Sequence, residues 1–564
     1  MKLSFDDLDR KEKQIFLDLA CFFLKLSTKI NVDNLKSLLK DDKSDNSVIF
    51  GLERLKDKAL ISFSEDNIVS MHDSLQEMAC EIVRQESIED SGSRSRLWDP
   101  NDIYEVLKND KVTEAIRSIR IQLTTIRGLK LRPHIFAKMS KLKFLEISRE
   151  DAYYGFENQL GEGPLFLATE LRFLSWDCYP LKSLPQNFSA EKLVILKLQL
   201  SKLEKLWDGV KNLVSLKGVY LDGSSELKEL PDLSKAINLE VLDLSSCESL
   251  TTVHPSIFSL AKLEILNLSN CISLTILSSD SHMHSLNYLI LDYCKSLTEF
   301  SIISKNMEEL DLSWTEKMKA LPSSFGHQRK LKSLDLTGSG IQRLPSSINN
   351  LTQLLHLNLS YCRELETIPE LPLSLKNINA RDCKSLKTIL LLPSTSVEQL
   401  RANRTRVLLW NCLNLDQHSL VAIELNAQIS VMNFANQHLS VEHSPVAIGL
   451  NTQGNVMNFT DHNKVVYVYP GSCVPEWLEY KTTNNYVIID LSSTPSSPML
   501  NFIFCFVLSK YEGTARKNEL TVKITLSDGD GEGERDSVEM FMDDWFFSWT
   551  IESNHVCDVR SKMF

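Results

Sequence analysis

Leucines recur through the middle of the chain with a fixed spacing. From residue 239 the sequence is L-E-V-L-D-L-S-S-C-E-S-L, and similar stretches begin at residues 263 and 286. Leucine, or Met307 or Val397 in its place, stands at 142, 171, 193, 216, 239, 263, 286, 307, 331, 354, 375 and 397. The first gap is 29 residues, because of an insertion around 153–164, and the others are 21 to 24. Within each unit, leucines such as Leu242 and Leu244 alternate, which predicts a short strand with these side chains inward.

This spacing is the leucine-rich-repeat pattern L-x-x-L-x-L-x-x-N/C-x-L. One repeat is too small to bury its apolar side alone, so consecutive repeats stack into a solenoid. About 12 repeats at ~4.8 Å per strand predict a horseshoe-shaped parallel sheet on the order of 50 Å long. Residues 101–412 are therefore predicted to form a surface that binds another macromolecule.

The cysteines of the repeats indicate a structural role. Six are assigned to the N/C position of the pattern: Cys178, Cys247, Cys271, Cys294, Cys362 and Cys383. A polar side chain at that position is expected to hold the adjoining turn, one per repeat. The sequence contains no C-x-x-C pair of the kind that metal sites use, so no metal site is predicted.

Residues 1–100 have a different pattern and predict a winged-helix domain. Ser4 and Asp9 are expected to cap helices, and apolar residues follow at helical spacing. An amphipathic segment over 48–60 leads into a short hairpin and then a helix from about residue 73. The DNA-binding function that some winged helices have is disfavoured here, because the last helix carries Asp73, Glu77 and Glu81.

The carboxyl-terminal third predicts strands. Short apolar runs separated by Pro, Ser and Gly over residues 465–564 favour a jelly-roll-like β-sandwich. The connector 413–464 contains a duplication, since residues 425–434 and 450–459 are identical at seven of ten positions. The expected fold class is a multidomain α+β chain of winged helix, leucine-rich-repeat solenoid and β-sandwich.

Composition restricts the function further. The formal charge of −12 and the pI near 5.6 argue against a nucleic-acid-binding surface. No apolar run reaches the length of a membrane span, and the amino terminus lacks a signal-peptide core. We therefore expect no membrane span and a cytoplasmic location, with the nucleus as an alternative.

Two stretches resemble one protein family. The helix text around I-F-L-D-L-A-C-F-F, followed by Met71, His72 and Asp73, resembles the winged-helix domain of plant intracellular nucleotide-binding leucine-rich-repeat immune receptors, in the subclass with a TIR domain. The resemblance implies that these three residues are the MHD motif, whose histidine approaches the phosphates of bound ADP. The alternative is that His72 only begins a helix.

The second stretch lies near the end of the chain. It resembles the P-G-x-x-I-P-x-W signature of the post-repeat domain of the same subclass, through Pro470, Gly471, Ser472, Pro475, Glu476 and Trp477. In that family the domain contacts the pathogen effector together with the repeats. The alternative is structural, with the prolines shaping a turn and Trp477 filling core.

Two sites of the full-length family have no counterpart in this sequence. The phosphate-binding string G-x-x-x-x-G-K-[S/T] does not occur in the 564 residues, nor does a TIR domain. We therefore expect no enzymatic activity and no cofactor from this chain alone, although the full-length family binds ADP or ATP. His72 could sense a phosphate only if another polypeptide supplied the cradle.

The predicted function is recognition in plant innate immunity. Tyr220, Tyr288, Trp314 and His356 are candidate contacts on or beside the repeat strands, since aromatic residues carry much of the energy of interfaces. The expected partners are a pathogen effector or a guarded host protein, with other receptor chains in an oligomer or pair. The alternatives are a truncated paralogue acting as decoy or helper, and a leucine-rich-repeat adaptor such as a ubiquitin-ligase substrate receptor.

Overall fold

A computed structural model gives the fold. It describes residues 2–26, 30–40, 47–124, 129, 132, 134–149, 166–279, 282–391, 406–439, 464–470, 501–508, 520–527, 534–542 and 555–562. The chain divides into two compact units, Met1–Met307 and Glu308–Phe564, and each is described by itself.

The first unit begins with helices and a small hairpin. Its helices are α1 (Lys2–Asp6), α2 (Arg10–Cys21), α3 (Val32–Leu39), α4 (Ser47–Asp57), α5 (Asp73–Arg84) and α6 (Pro100–Lys108), and strands β1 (Ser62–Phe63) and β2 (Val69–Ser70) pair antiparallel. Asp9 caps α2 in a capping box with Glu12, as expected. Ser4 lies inside α1, so its assignment as a cap is wrong. The order of helices, hairpin and helix is that of the predicted winged helix.

A parallel sheet follows, with one strand from each repeat. The strands are β3 (Arg96–Leu97), β4 (Ser118–Gln122), β5 (Phe144–Ser148), β6 (Phe173–Trp176), β7 (Ile195–Lys197), β8 (Gly218–Tyr220), β9 (Val241–Asp243), β10 (Ile265–Asn267) and β12 (Tyr288–Ile290). Each pairs in parallel with the next. The short strands β11 (Ile276–Ser278) and β13 (Glu299–Ser301) form a separate parallel pair. β3 and β4 precede Leu142, so the sheet begins earlier than the leucine spacing indicates.

The winged helix packs against the first repeats. Phe22 and Phe23 meet Phe144 and Phe173 at ring-centroid distances of 4.9 to 6.5 Å. Since positions 144 and 173 begin neighbouring strands, the helical domain contacts the sheet at the amino-terminal ends of β5 and β6.

An ion pair lies beside these rings and joins the same two parts of the unit. The Arg96 guanidinium contacts the Asp18 carboxylate at 2.7 Å, and both side chains are less than a tenth exposed. A buried charge is tolerated only where a partner compensates it, so this pair ties β3 to α2.

The second unit repeats the same arrangement. Its parallel sheet contains β14 (Glu309–Asp311), β15 (Ser333–Asp335), β16 (His356–Asn358), β18 (Asn377–Asn379) and β20 (Arg406–Leu408), and β17 (Thr367–Ile368) pairs with β19 (Thr388–Ile389). Val397, the expected start of the last repeat, lies outside the described residues.

From β6 onward, each repeat turns after its strand through one residue with positive φ, and the next residue points inward. The residues with positive φ are Cys178, Leu200, Gly223, Ser246, Asn270, Tyr293, Trp314, Gly338, Tyr361, Asp382 and Asn411. The thiols that follow them donate to a carbonyl of the preceding repeat, as Cys271 does to Leu244 O at 3.2 Å and Cys294 to Leu268 O at 3.1 Å. The structural role predicted for these cysteines matches this geometry.

The ladder of inward residues differs from the prediction at two positions. Cys178 has φ of 55° and is half-buried, so it occupies the turn, and Tyr179 takes the inward position. The assignment of Cys178 to the ladder is therefore wrong. Cys412, which the repeat spacing missed, is inward and donates to Ala380 O at 2.8 Å.

This correction predicts a difference in thiol reactivity. Alkylation of the native protein is expected to modify Cys178 well before Cys271 or Cys362, because Cys178 is only half-buried whereas the two inward thiols are closed to solvent. Burial raises the pKa of all three thiols, to about 12 for Cys271 and about 11 for Cys362. Mass spectrometry of peptides after timed alkylation measures the order. Equal labelling of Cys178 and the inward cysteines would contradict the assignment.

The carboxyl-terminal strands follow a helix. Helix α7 (Gln417–Leu439) contains the first copy of the duplication, and the second copy lies outside the described residues. Strand β21 (Lys464–Pro470) pairs in parallel with β20 and antiparallel with β25 (His555–Lys562), which pairs with β22 (Asn501–Leu508); β23 (Leu520–Ser527) pairs with β24 (Glu534–Met542). The buried Tyr467 hydroxyl donates to Asn426 at 2.7 Å. The jelly-roll-like sandwich stays a prediction, because most of the connecting loops lie outside the described residues.

Among the helices of the described residues, none is long and apolar enough to cross a membrane.

Candidate partner-binding surface

The residues that resemble the MHD motif lie where the hairpin meets α5. Met71 is buried, and His72 and Asp73 are exposed. His72 is the N-cap of α5, and its Nδ1 accepts from Ser74 N at 3.2 Å and lies 2.8 Å from Ser74 Oγ. His254 makes the same contacts with Ser256 at another helix start, far from this segment in sequence. The cap alone therefore explains the position of His72, and its role towards a phosphate stays a prediction.

The caps give a matched pair of variants. His72→Ala is expected to lower the free energy of unfolding by about 1 kcal/mol, because α5 loses the acceptor for one of its first N–H groups. His254→Ala removes the same contact elsewhere and is the control. Urea unfolding of both variants measures the loss. A much larger loss for His72→Ala than for His254→Ala would mean that His72 does more than cap.

Tyr220 and Tyr288 both lie on strands of the first unit. Tyr220 is half-buried, packs against a buried cluster that winged-helix and repeat residues form together, and has the Lys197 ammonium 5.1 Å from its ring centroid. Burial raises the pKa of Tyr220. Tyr288 is 36% exposed. Of these two candidate contacts, Tyr288 is the more exposed.

Trp314 is part of an aromatic stack in the second unit. Its ring lies nearly parallel to that of Tyr361, at 6.2 Å between centroids and 22° between planes. The repeat between them contributes Gly338, where a Cβ would lie 2.5 Å from Trp314 Cε3 and where φ is +65°. The Arg381 guanidinium lies 5.9 Å from the Tyr361 centroid. We call Trp314, Tyr361 and Arg381 the aromatic stack.

The stack contains two residues that the sequence did not single out. Tyr361 occupies the turn position after β16 and immediately precedes the inward Cys362, whereas Arg381 lies one position earlier in the next repeat, before Asp382. The repeat pattern could have located Tyr361. Like Trp314, it is a large aromatic residue at the turn position, one residue before the N/C position.

His356 lies in a depression on the sheet of the second unit. The depression has a volume of about 420 Å³ and is lined by strands β15, β16, β18 and β20 and the residues just after them: Ser333, Leu334, Asp335, His356, Leu357, Asn358, Asn377, Ile378, Asn379, Arg381, Arg406, Leu408 and Trp410. His356 Nδ1 lies 2.8 Å from Asn377 Nδ2. Since Arg381 belongs to both, the depression and the aromatic stack share one border. We call this the repeat depression.

The electrostatics of the repeat depression are set by its arginines. Desolvation, and then the positive charges of Lys376 and Arg406, lower the pKa of His356, so the imidazole is neutral at pH 7. Desolvation also lowers the pKa of Arg381. Arg381 is also ion-paired with Asp382 at 3.0 Å, so the charges of Arg381 and Arg406 face those of Asp335 and Asp382.

The post-repeat motif is described only at its first residue. Pro470 ends strand β21 and is half-buried. Gly471, Ser472, Pro475, Glu476 and Trp477 lie outside the described residues. In the part of the chain that the structure describes, no group of His, Cys, Asp and Glu side chains is arranged to hold a metal ion.

Similarity to known proteins supports the same family for both halves of the chain. The winged-helix domain of Roq1-like disease resistance proteins matches residues 9–87, and a leucine-rich repeat matches residues 192–211. The chain is similar to disease resistance protein RPP2B of Arabidopsis thaliana, with 36% identity over 382 residues, which are 67% of this chain and 29% of that protein. It is similar to disease resistance protein RML1A of the same plant, with 30% identity over 557 residues, covering 94% of this chain and 50% of that protein.

The chain thus spans about a quarter to a half of the length of such relatives. Among solved structures, the leucine-rich repeat domain of the type III effector XCV3220 (XopL) covers 62% of this chain and 96% of its own at 16% identity, with a TM-score of 0.32. So low a score carries no argument about the fold. With the winged helix and the repeats both described, the relatives decide the family: the chain belongs to the plant nucleotide-binding leucine-rich-repeat disease resistance proteins of the TIR subclass.

Proposed function

We propose that this chain is the recognition part of a plant immune receptor and that it binds a pathogen effector or a guarded host protein. The observation that carries the proposal is the repeat depression with the aromatic stack beside it, on the sheet of the second unit. Trp, Tyr and Arg are the residues that most often dominate the energy of protein interfaces. Three of them meet at this border. An open depression with a mixed polar and apolar lining also fits a protein surface better than an enclosed small molecule.

Binding would act through a conformational equilibrium. A partner shifts a receptor towards an active state only by its differential affinity for that state. The buried contact of the winged helix with β5 and β6 supplies an element that such a shift could change, since Phe22 and Phe23 connect the domain to the repeat sheet. The whole receptor would act in the cytoplasm or the nucleus, with nucleotide held by parts of the family architecture that this chain does not contain.

Direct binding tests this function. The full chain is co-expressed with candidate effectors and purified by affinity, and the complex is measured by size-exclusion chromatography with light scattering. We expect a complex whose formation is lost when Trp314 and Tyr361 are both replaced by alanine. A complex of undiminished affinity with that double variant would remove this surface from recognition.

The carboxyl-terminal region is expected to take part. Deleting residues 465–564 should abolish capture of the partner, because the post-repeat domain is proposed to contact it together with the repeats. That deletion also removes the pairing of β21 with β20 and the hydrogen bond from Tyr467 to Asn426. Deletion of 471–564 keeps those residues and is the matched control for damage to the sheet edge. Full capture by both deletions would exclude the carboxyl-terminal region from the recognition site.

A further inference from the structure

A row of apolar side chains crosses the parallel sheet of the first unit. Val241, Ile265 and Tyr288 are paired in register on β9, β10 and β12. The next residue of each strand, such as Leu242 or Leu266, is fully buried in the solenoid. Because side chains alternate along a strand, the three residues lie on the opposite face of the sheet. We call Val241, Ile265 and Tyr288 the apolar row.

The apolar row is not required for the repeats to fold. Val241 and Ile265 are half-buried, and Tyr288 is exposed. The strands of the second unit have polar residues at the same position, before the buried leucine or isoleucine of the strand: Glu309, Ser333, His356 and Asn377. Apolar side chains that lie together on a surface without serving the core mark a contact surface.

The apolar row continues a contact that the chain already makes with its own helices. On β5, β6 and β7 the same register position is held by Phe144, Phe173 and Ile195, which are buried in one cluster with winged-helix residues. On β8 the position is Gly218, where a Cβ would lie 2.8 Å from Cε2 of the Tyr220 ring. One line of positions on the sheet is therefore covered by a helical domain at one end and continues, more exposed, across β9, β10 and β12.

Acidic residues flank the apolar row. The strands β8, β9, β10 and β12, with one residue before and two after each, contain five carboxylates and one ammonium: Asp222, Glu240, Asp243, Glu264, Asp292 and Lys217. Lys217 pairs with Glu240 at 2.8 Å. The Lys197 ammonium on β7 is close enough to Asp222 to offset part of its charge. Two of the five carboxylates are thus compensated.

The other three carboxylates keep their charge without a cation. Among the described residues, no Lys or Arg forms an ion pair with Asp243, Glu264 or Asp292. Ser245 donates to Asp243 from its N–H at 3.0 Å and its hydroxyl at 2.8 Å, but neutral donors leave the negative charge in place. Lys262, in the loop before β10, donates to a side-chain amide oxygen at 2.8 Å. A negative field therefore remains along the apolar row and favours a cationic partner.

The spacing of the apolar row matches a helix. Neighbouring strands of a sheet are ~4.8 Å apart, so the side chains of the row repeat at about that distance. On an α-helix, residues three or four apart rise ~4.5 to 6 Å along the axis. Side chains on one side of an extended segment repeat at ~6.6 Å or more and lose register with the strands. A helix lying across the strands can therefore present one apolar residue to each of them.

We propose that the apolar row binds a basic amphipathic helix of a protein partner. Apolar residues at i, i+3 or i+4, and i+7 of that helix pack on Val241, Ile265 and Tyr288. Lys or Arg residues on the flanks of the helix pair with Asp243 and Glu264. This proposal goes beyond the proposed function, because it concerns a different surface and does not depend on what the repeat depression binds.

A library of helices tests the proposal without knowledge of the partner. The full chain is immobilised and panned against a phage library of a stable three-helix scaffold in which the outward face of one helix is randomised. We expect Lys and Arg to be enriched at least threefold over the input, beside apolar residues at i, i+3 or i+4, and i+7. Enrichment of acidic faces, or no enrichment of any face, would overturn the proposal.

Charge variants then locate the binding. Asp243→Asn with Glu264→Gln should weaken the selected helices at least tenfold in fluorescence anisotropy at low salt, where surface charges are least screened. Asn267 holds the position of Asp243 in the next repeat and accepts from Ser269 N at 3.0 Å, so asparagine suits this turn. Glu248→Gln, at an exposed residue beyond the turn of the same repeat, is the matched control and should change affinity less than twofold. Equal binding by the wild type and the double variant would contradict the assignment.

A second set of variants tests the apolar contact. Ile265→Ser should weaken the selected helices at least tenfold, and its thermal unfolding should stay close to that of the wild type, because Ser333 occupies the same position in another repeat. Tyr288→Ala repeats the test at an exposed residue. Undiminished affinity in both variants would show that the helix does not lie on the apolar row.

Discussion

Replacing Asp18 by alanine is expected to destabilise the amino-terminal unit by about 3–5 kcal/mol, because the Arg96 charge would stay buried without its partner. Arg96 and Asp18 are 2.7 Å apart, with side-chain exposures of 3% and 8%. Arg96 also donates to Gln14 O at 3.3 Å, which does not neutralise its charge. Hydrogen exchange of the amides in α2 measures the loss, since these amides are protected only while the helix is folded against its neighbours.

Glu170→Ala is the control for this variant. Glu170 pairs with Lys192 at 2.6 Å, but both side chains are at least a third exposed, so the change should cost no more than about 1 kcal/mol. A second variant separates charge from packing. Replacing Asp18 by leucine and Arg96 by methionine together removes both charges and should recover most of the loss. Equal destabilisation by Asp18→Ala and Glu170→Ala would show that the ion pair does not hold the domains together.

Replacing Trp314 by alanine is expected to weaken binding of the protein partner by about 2 kcal/mol or more, which is roughly thirtyfold in Kd. The indole stacks on Tyr361 and leans over Gly338, so its replacement removes a large aromatic surface beside the repeat depression. Surface plasmon resonance with the purified partner measures the change. Stability should fall little, because Trp314 is only half-buried.

The first unit provides a matched control for Trp314. Leu200 occupies the same position of its repeat, with φ of 54°, and leans over Gly223 as Trp314 leans over Gly338. It is 52% exposed. Leu200→Ala should change affinity less than twofold. If Leu200→Ala and Trp314→Ala weaken binding equally, the loss reflects a general effect on the repeat turn and not a contact at the aromatic stack.

Most of the fold was predictable from the sequence because leucine spacing is a local signal. The inward leucines and the one-residue turn are set within each repeat, so Leu242, Leu244 and Cys247 could be assigned without knowing their neighbours. The errors arose where the local sequence can be aligned with the repeat pattern in two ways. W-D-C-Y places a cysteine one residue before the inward position, and only the positive φ of Cys178 decides between Cys178 and Tyr179.

The site was less predictable, because it depends on contacts between repeats and between domains. Tyr220 ends β8 and Tyr288 begins β12, so the two tyrosines occupy different positions of their repeats, and Tyr220 is half-buried whereas Tyr288 is exposed. Arg381 and Arg406 lie 25 residues apart in the sequence but line the same depression. The longer spacing before β20 prevented the sequence from showing that they are neighbours. Asn379 occupies an ordinary position of the repeat pattern, and the sequence around it does not indicate that its side-chain oxygen is buried.

Site-specific photo-crosslinking in plant cells tests most directly whether the repeat depression is the recognition surface. A photoreactive phenylalanine analogue replaces His356 in the depression or, as control, Arg343 outside it. On infection or effector expression, we predict a covalent adduct with one protein from position 356 and none from position 343. Adducts from position 343 alone would contradict recognition by the depression, and so would the same adducts from both positions.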